Sequence, residues 1–135
     1  IFGPETFDLN MAVRTEYYDG TDFVLNTDDS CTVLLDTDPP LTPQTGSWTG
    51  NLSTGETFAT LSSNISSGVG EITFDAAGLG NAGSVIYEYD TINNLPWLSI
   101  ENDGDADYGD NPFGKITFGQ FRGNDRVIYW REIVR

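Results

Sequence analysis

The 135-residue sequence lacks several residue types on which common protein chemistry depends. It contains no histidine, which excludes Ser-His-Asp and Cys-His catalysis and the usual zinc sites. Its one cysteine, Cys31, has no partner for a disulfide within the chain, and its one lysine, Lys115, follows no glycine-rich phosphate-binding loop. No run of 18 apolar residues occurs, so we expect no insertion into a membrane. These absences leave few routes to catalysis, and we expect that the protein is not an enzyme.

Cationic residues are also scarce, with six Lys and Arg against 21 Asp and Glu and a net charge of −15 at pH 7. A body this acidic repels phosphate backbones and anionic lipid headgroups, which argues against nucleic-acid and membrane-surface partners. The same excess suits hard cations such as calcium. Aromatic residues make up 13% of the chain and charged residues only 20%, which is typical of a folded domain.

The length predicts one domain, residues 1–135. Apolar and polar residues alternate with period two in short segments separated by turn residues, which predicts an all-β fold. We expect an antiparallel β-sandwich of about ten short strands. The predicted strands are 7–18 (bent midway), 22–26, 32–35, 47–53, 56–61, 69–75, 84–90 and a strand from Pro96 toward Ile100. Short helical turns are expected only at 75–80 and 91–95.

Two hairpins are predicted from turn signals between alternating segments. Asp19-Gly20 separates the first two strands. The most regular pattern lies at the end of the chain, where 115–121 and 126–134 alternate on either side of a turn at 122–125. We therefore expect the fold to end in a long C-terminal hairpin.

An acidic loop lies between the Pro96 strand and that hairpin. Asp103, Asp105 and Asp107 stand at alternate positions, and Asp110 follows three residues later. Alternate carboxylates in a tight loop can converge on one calcium ion, which accepts six to eight oxygen ligands. We expect these four residues to be metal ligands, with calcium as a structural ion that orders residues 102–111. The loop does not fit an EF-hand, which would need Gly at position 108 and Glu at position 114.

Two other readings of the acidic loop stay open. It can be a solvated turn, because Asp and Gly are favoured in turns. It can also be neutralised from within the chain, since four of the six cations fall in the last 14 residues. Those cations are Arg122, Arg126, Arg131 and Arg135.

Carbohydrate binding is the main alternative function at this point. Trp48, Trp97 and Trp130, with six tyrosines, could supply stacking platforms, although tryptophan in a small β-domain is more often packed. A coplanar exposed pair beside the acidic loop would favour this function. A glycosidase is a distant third, since it would need two carboxylates across a deep cleft. Cys31 is expected to be a small buried hydrophobe or, alternatively, half of a bridge to another chain.

The order of several motifs resembles a known family. They are RTEYYDGTDFVLNTDDSCT at 14–32, Pro96-Trp97-Leu98 with the acidic run after it, and FGQFRGNDRVIYWREI at 118–133. Together they resemble an uncharacterised C-terminal domain of large bacterial surface proteins labelled MSHA pilus biogenesis protein MshQ. The acidic run matches the family's Asp-Gly-rich run, and Cys31 matches the family cysteine.

The resemblance implies an exported setting at the surface of a Gram-negative bacterium, and it does not imply a catalytic activity. We therefore expect the C-terminal module of a longer protein, located at the cell surface, on the outer membrane or outside the cell. Its expected function is that of a binding or structural module that supports adhesion or pilus assembly. The expected partners are other domains of the same protein, pilus components or surface glycans.

Overall fold

The fold is that of a computed structural model, which describes residues 1–34, 41–91, 95, 98, 100, 104 and 109–119. Within these ranges the chain forms ten strands. They are β1 (Phe2–Gly3), β2 (Leu9–Arg14), β3 (Glu16–Tyr18), β4 (Phe23–Leu25), β5 (Leu41–Pro43), β6 (Thr49–Gly50), β7 (Ala59–Ser66), β8 (Val69–Phe74), β9 (Gly83–Tyr89) and β10 (Phe113–Phe118). No helix in the described part is long and apolar enough to cross a membrane.

The strands form two sheets and a two-stranded ribbon. The large sheet has the order β1-β10-β9-β5, and β6 also pairs with β9. The small sheet has the order β2-β8-β7, and the ribbon is β3-β4. All pairs are antiparallel except β1 and β10, which run parallel with Gly3 opposite Phe118. The antiparallel prediction is confirmed apart from this short first strand, which carried no alternation signal.

The inner faces of the two sheets pack on each other and form the main core cluster, as the alternating pattern predicts, and Leu34, Ile65 and Tyr89 form a smaller second cluster. On the large sheet Val85 and Ile116 are fully buried, and on the small sheet Phe74 is fully buried. Phe74 and Tyr87 meet across the sheets with their rings edge to face and 5.1 Å between centroids. This packing of one apolar face on another confirms the predicted all-β sandwich.

The predicted first strand bends at Thr15. The Thr15 N–H donates to the Gly68 carbonyl, and the Thr15 carbonyl accepts from the Asn26 N–H. The chain therefore leaves the small sheet at Thr15 and continues as the β3–β4 ribbon. The Asp19 side chain accepts from the N–H groups of Thr21 and Asp22, and Gly20 has a φ of 104°. The hairpin prediction at Asp19-Gly20 is confirmed.

Local side-chain bonds explain where strand predictions were wrong. Described residues 32–34 form no strand, because Asp29 accepts from the N–H groups of Cys31 and Thr32 and so forms a turn instead of a ladder. Leu98 lies in a turn rather than at the start of a strand.

Of the two predicted helical turns, the one at 75–80 is replaced by a turn at 78–81, in which the Asn81 N–H donates to the Gly78 carbonyl. The helical bond from the Leu95 N–H to the Thr91 carbonyl confirms the turn at 91–95.

The predicted C-terminal hairpin is described only in its first arm, as β10. This strand pairs with β9 on one side and with β1 on the other. The second arm, 126–134, lies outside the described residues.

Candidate functional site

The described ends of the acidic loop are joined by a backbone bridge. Ile100 and Asp110 exchange two hydrogen bonds, of 2.9 Å and 3.0 Å. Asp110 is one of the four predicted calcium ligands. It therefore lies at the base of the loop, opposite Ile100. Asp103, Asp105 and Asp107 lie outside the described residues.

Asn111, next to Asp110, ties the base of the loop to the end of β9. Its side-chain oxygen accepts from the Thr91 N–H at 2.9 Å, and its amide nitrogen donates to Glu88 at 2.9 Å. No group of three acidic, cysteine or histidine side chains in the described ranges could hold a metal ion. The calcium site therefore stays a prediction that rests on residues 103–107.

A second feature was not predicted. A groove of about 780 Å³ opens between the two sheets and is lined mostly by apolar side chains. Met11 and Val13 of β2, Tyr89 of β9 and Leu34 form part of its wall. Phe23 and Phe113 also line it, and each is 52% exposed. We call this the edge groove.

The edge groove follows the outer edge of β2 and is not an enclosed interior cavity. Six consecutive residues line it, from Met11 to Glu16. In a strand, successive side chains point to opposite faces, so an interior cavity would be lined by every second residue only. The outward-facing residues Ala12 and Arg14 also line the groove, which places it along the strand edge. Four of these residues, Met11 to Arg14, belong to β2, and at about 3.3 Å each they give the groove a length of about 13 Å along this strand.

The hydrogen bonds of the small sheet show which backbone groups face the groove. The Thr15 N–H points toward the start of β8, because it donates to the carbonyl of Gly68, the residue before this strand. Backbone direction alternates along an antiparallel strand, so Leu9, Met11 and Val13 also point at β8. The N–H and C=O groups of the residues between them, Asn10, Ala12 and Arg14, then point to the outer edge. β2 ends the sheet order there, and in the described part of the chain no strand covers this edge.

Aromatic side chains are exposed on the β3–β4 ribbon, at one end of the edge groove. Tyr17 is 51% exposed and Tyr18 is 59% exposed. The rings of Tyr18 and Phe23 are 5.5 Å apart and inclined at 52°, so they do not form a flat platform. Trp48 is half-buried and packs on the core. Trp97 and Trp130 lie outside the described residues.

Titratable groups with shifted pKa values lie mostly away from the groove. Hydrogen bonds from the Thr32 hydroxyl and N–H lower the pKa of Asp29, and those from the N–H groups of Asp22 and Thr21 lower that of Asp19. Burial, and next the negative charge of Asp75, raise the pKa of Tyr87, whose hydroxyl donates to the Thr57 carbonyl at 3.1 Å. These shifts come from turns and from the core, which is their ordinary structural cause.

Cys31 is exposed, so the expectation that it is buried as a small hydrophobe is wrong. The turn that Asp29 imposes on residues 29–32 directs the thiol away from the core while Leu34 is buried.

The edge groove was not predicted from the sequence, because the strands that form its wall have the same alternation of apolar and polar residues as those of the closed core. The signal available was indirect: Met11, a flexible side chain, lies over Gly114, which has no side chain to fill the space.

Comparison with known proteins identifies a family but not an activity. The family model described as DUF6701, fourth domain, matches residues 1–133, nearly the whole chain. The chain therefore belongs to this uncharacterised domain family. No curated protein and no solved structure matches it.

Proposed function

We propose that this fourth DUF6701 domain is a non-catalytic binding or structural module of an exported bacterial surface protein. The observation that carries the proposal is the edge groove, an apolar cleft with two half-exposed phenylalanines at its rim. Exposed apolar surface of this kind typically marks an interaction site. In the finer form of the proposal, the parent protein is MshQ-like and the module supports adhesion or pilus assembly.

The chemistry of the groove favours binding over catalysis. Enzyme sites concentrate titratable groups whose pKa values are shifted toward the working pH. The charged residues in the described lining are Arg14 and Glu16, both exposed. Tyr87 has a shifted pKa, but its hydroxyl is engaged with Thr57 in the core. An apolar lining with exposed rim charges suits recognition of another surface.

The test of this function uses the full-length protein in the bacterium that produces it. Phe113→Ser removes an exposed ring from the groove rim, and we expect it to reduce surface attachment or piliation. Phe58→Ser is the matched control, because Phe58 is 58% exposed and does not line the groove. Equal attachment by both variants and the unaltered protein would reject the groove as the binding surface.

Calcium is proposed as a structural ion of the acidic loop. The bridge between Ile100 and Asp110 supports this, because it holds both ends of residues 101–109 together. Carboxylates confined in so short a segment repel one another unless they are neutralised. Calcium at 100 times its dissociation constant should then stabilise the fold by about 2.7 kcal/mol.

Thermal unfolding in EDTA, in calcium and in magnesium tests the ion. We expect the melting temperature to rise in calcium but not in magnesium, and we expect Asp105→Asn to abolish the rise. Asp28→Asn is the control, since Asp28 lies in a separate turn. If calcium gives no rise, the loop is solvated or paired with arginine.

Carbohydrate binding is a second candidate, favoured by the exposed tyrosines of the β3–β4 ribbon. Tyr17 and Tyr18 offer aromatic surface of the kind that stacks on sugars. A glycan array with the unaltered chain and with Tyr18→Ala tests it. A hit that disappears in the variant supports this candidate, and an empty array rejects it.

A further inference from the structure

We propose that the edge groove binds an extended segment of a partner protein, which adds as a strand to the outer edge of β2. The inference rests on the proposed binding function and names its mode and its partner class. That class is a strand-forming segment with apolar side chains at alternate positions and arginine or lysine between them.

The backbone groups of β2 that no described strand pairs with supply the first argument. Asn10, Ala12 and Arg14 present N–H and C=O groups to the outer edge of β2, because their neighbours Met11 and Val13 bond to β8, and Ala12 and Arg14 also line the groove. A row of such groups is a template for another strand, and strand addition is a recurrent way to bind extended peptides. The four β2 residues that line the groove span about 13 Å, which accommodates about four residues of an added strand.

The apolar wall of the groove supplies the second argument. A strand added to the edge of β2 would continue the inner face of the small sheet toward Phe113 and Gly114. Met11 and Val13, which are only half-buried, would then be covered by every second side chain of the added strand. This pattern explains why the partner needs apolar residues at alternate positions.

The charge of the protein supplies the third argument. The chain carries a net charge of −15. The charged residues in the described lining, Arg14 and Glu16, offset each other, so the attraction comes from the net charge of the chain as a whole. Basic residues at the outward positions of the partner strand would be attracted to so acidic a protein, and acidic ones would be repelled.

The test measures binding of a capped nine-residue peptide in which valine alternates with arginine and threonine. Fluorescence anisotropy is recorded with the 135-residue chain at about 0.15 M salt, where distant charges are largely screened. The control peptide has the same composition with the valines grouped in one block. We expect the alternating peptide to bind at least tenfold more tightly than the block peptide.

Two variants at one position separate strand addition from general attraction. Ala12→Pro removes the N–H that points to the outer edge and none that bonds to β8, whereas Ala12→Thr keeps that N–H. We expect Ala12→Pro to weaken binding about tenfold, which is the scale of one or two lost hydrogen bonds, and Ala12→Thr to stay within about twofold. Circular dichroism confirms that each variant is folded. If Ala12→Pro is not folded, hydrogen exchange of the Ala12 and Arg14 amides in the unaltered chain replaces it, and the peptide should slow both.

Three outcomes would overturn the inference. The first is that the block peptide binds as tightly as the alternating peptide, and the second is that folded Ala12→Pro binds as tightly as the unaltered chain. The third is that no peptide binds, which is also the result expected if residues 120–135 of the chain itself pair with the edge of β2. The surface-attachment assay distinguishes a failure of the strand-addition proposal from a failure of the proposed binding function. Reduced attachment by Phe113→Ser with normal attachment by Ala12→Pro would keep the binding function and reject the strand.

Discussion

The two ends of β2 differ in what lies across from them. At its first residue, Leu9 is 7% exposed and packs so closely on Gly3 that a side chain there would overlap it. Further along, Met11 and Val13 are half-buried and border the edge groove. Both ends follow the same alternation, so the difference comes from the opposing residues and not from the hydrophobicity of the strand.

That difference assigns separate roles to the two ends. The closed end contains Phe74, Ile116 and Phe118, which are at most 1% exposed and account for much of the core. The open end has half-exposed aromatic rings and a strand edge that none of the described strands covers. We expect substitutions at the closed end to change stability, and substitutions at the open end to change binding.

The largest expected effect compares two phenylalanines. Phe74→Ala should lower the free energy of unfolding by about 3–5 kcal/mol, because it leaves a cavity in a fully packed site. Phe113→Ala should change it by no more than about 0.5 kcal/mol, since Phe113 is 52% exposed. Urea unfolding of both variants measures the difference. Similar losses would mean that the groove rim is packed as tightly as the core.

Substitutions at two glycines, Gly83 and Gly114, compare the packing of the core with that of the groove. A side chain at Gly83 would overlap the Thr49 carbonyl oxygen, so Gly83→Ala should cost about 1–3 kcal/mol. A Cβ at Gly114 would lie 2.8 Å from the Met11 methyl carbon, which can turn into the groove, so Gly114→Ala should cost less. Thermal unfolding ranks the two. The reverse ranking would show that Met11 has no room to move.

Tyr87 gives a smaller effect that depends on pH. Tyr87→Phe should cost about 1 kcal/mol at pH 7, because the buried Thr57 carbonyl loses its donor. Burial raises the pKa of Tyr87 above the ordinary 10.0, so the folded state keeps its proton to higher pH than the unfolded state. The associated stability is complete below pH 10 and is lost as pH rises through the folded pKa. Unfolding measured from pH 8 to pH 11 should show a shallower decline in Tyr87→Phe.

The smallest effect is expected at the Asp29 turn. Bonds from Thr32 lower the pKa of Asp29 below the ordinary 3.8, so the stability linked to it is present above that value and is lost as pH falls through the folded pKa. Asp29→Asn should lower the melting temperature slightly at pH 7 and reduce the loss below pH 4. Asp28→Asn should do neither, and an equal effect of both would assign the loss to net charge.

Much of the sandwich could be predicted because a strand that is buried on one face has apolar residues at every second position of its sequence. Val85, Tyr87 and Tyr89 were predicted on one face of their strand, and all three are buried. The hairpin at Asp19 was predictable because its turn is stabilised locally by the Asp19 side chain. A strand was predicted at 32–35 because the apolar run that starts at Val33 does not reveal that Asp29 closes a turn just before it.

The candidate site was less predictable because it depends on pairing between distant segments. The parallel addition of β1 to β10 places Gly3 beside Leu9, and nothing in two residues of sequence indicates it. The open edge of β2 likewise follows from its place at the end of a sheet order, which alternation does not determine. The four aspartates of the acidic loop were found from spacing alone, and their role awaits the calcium experiment.

Amide hydrogen exchange of the 135-residue chain, resolved by residue with NMR, tests the central claim most directly. We predict that Met11 and Val13, whose N–H groups bond to β8, exchange slowly, and that Ala12 and Arg14, whose N–H groups face the edge groove, exchange at least a hundredfold faster. Such an alternation within four consecutive residues would establish an uncovered strand edge that is free to receive a partner. Slow exchange at all four would show that the edge is already covered, and would contradict the assignment of the groove as the binding surface.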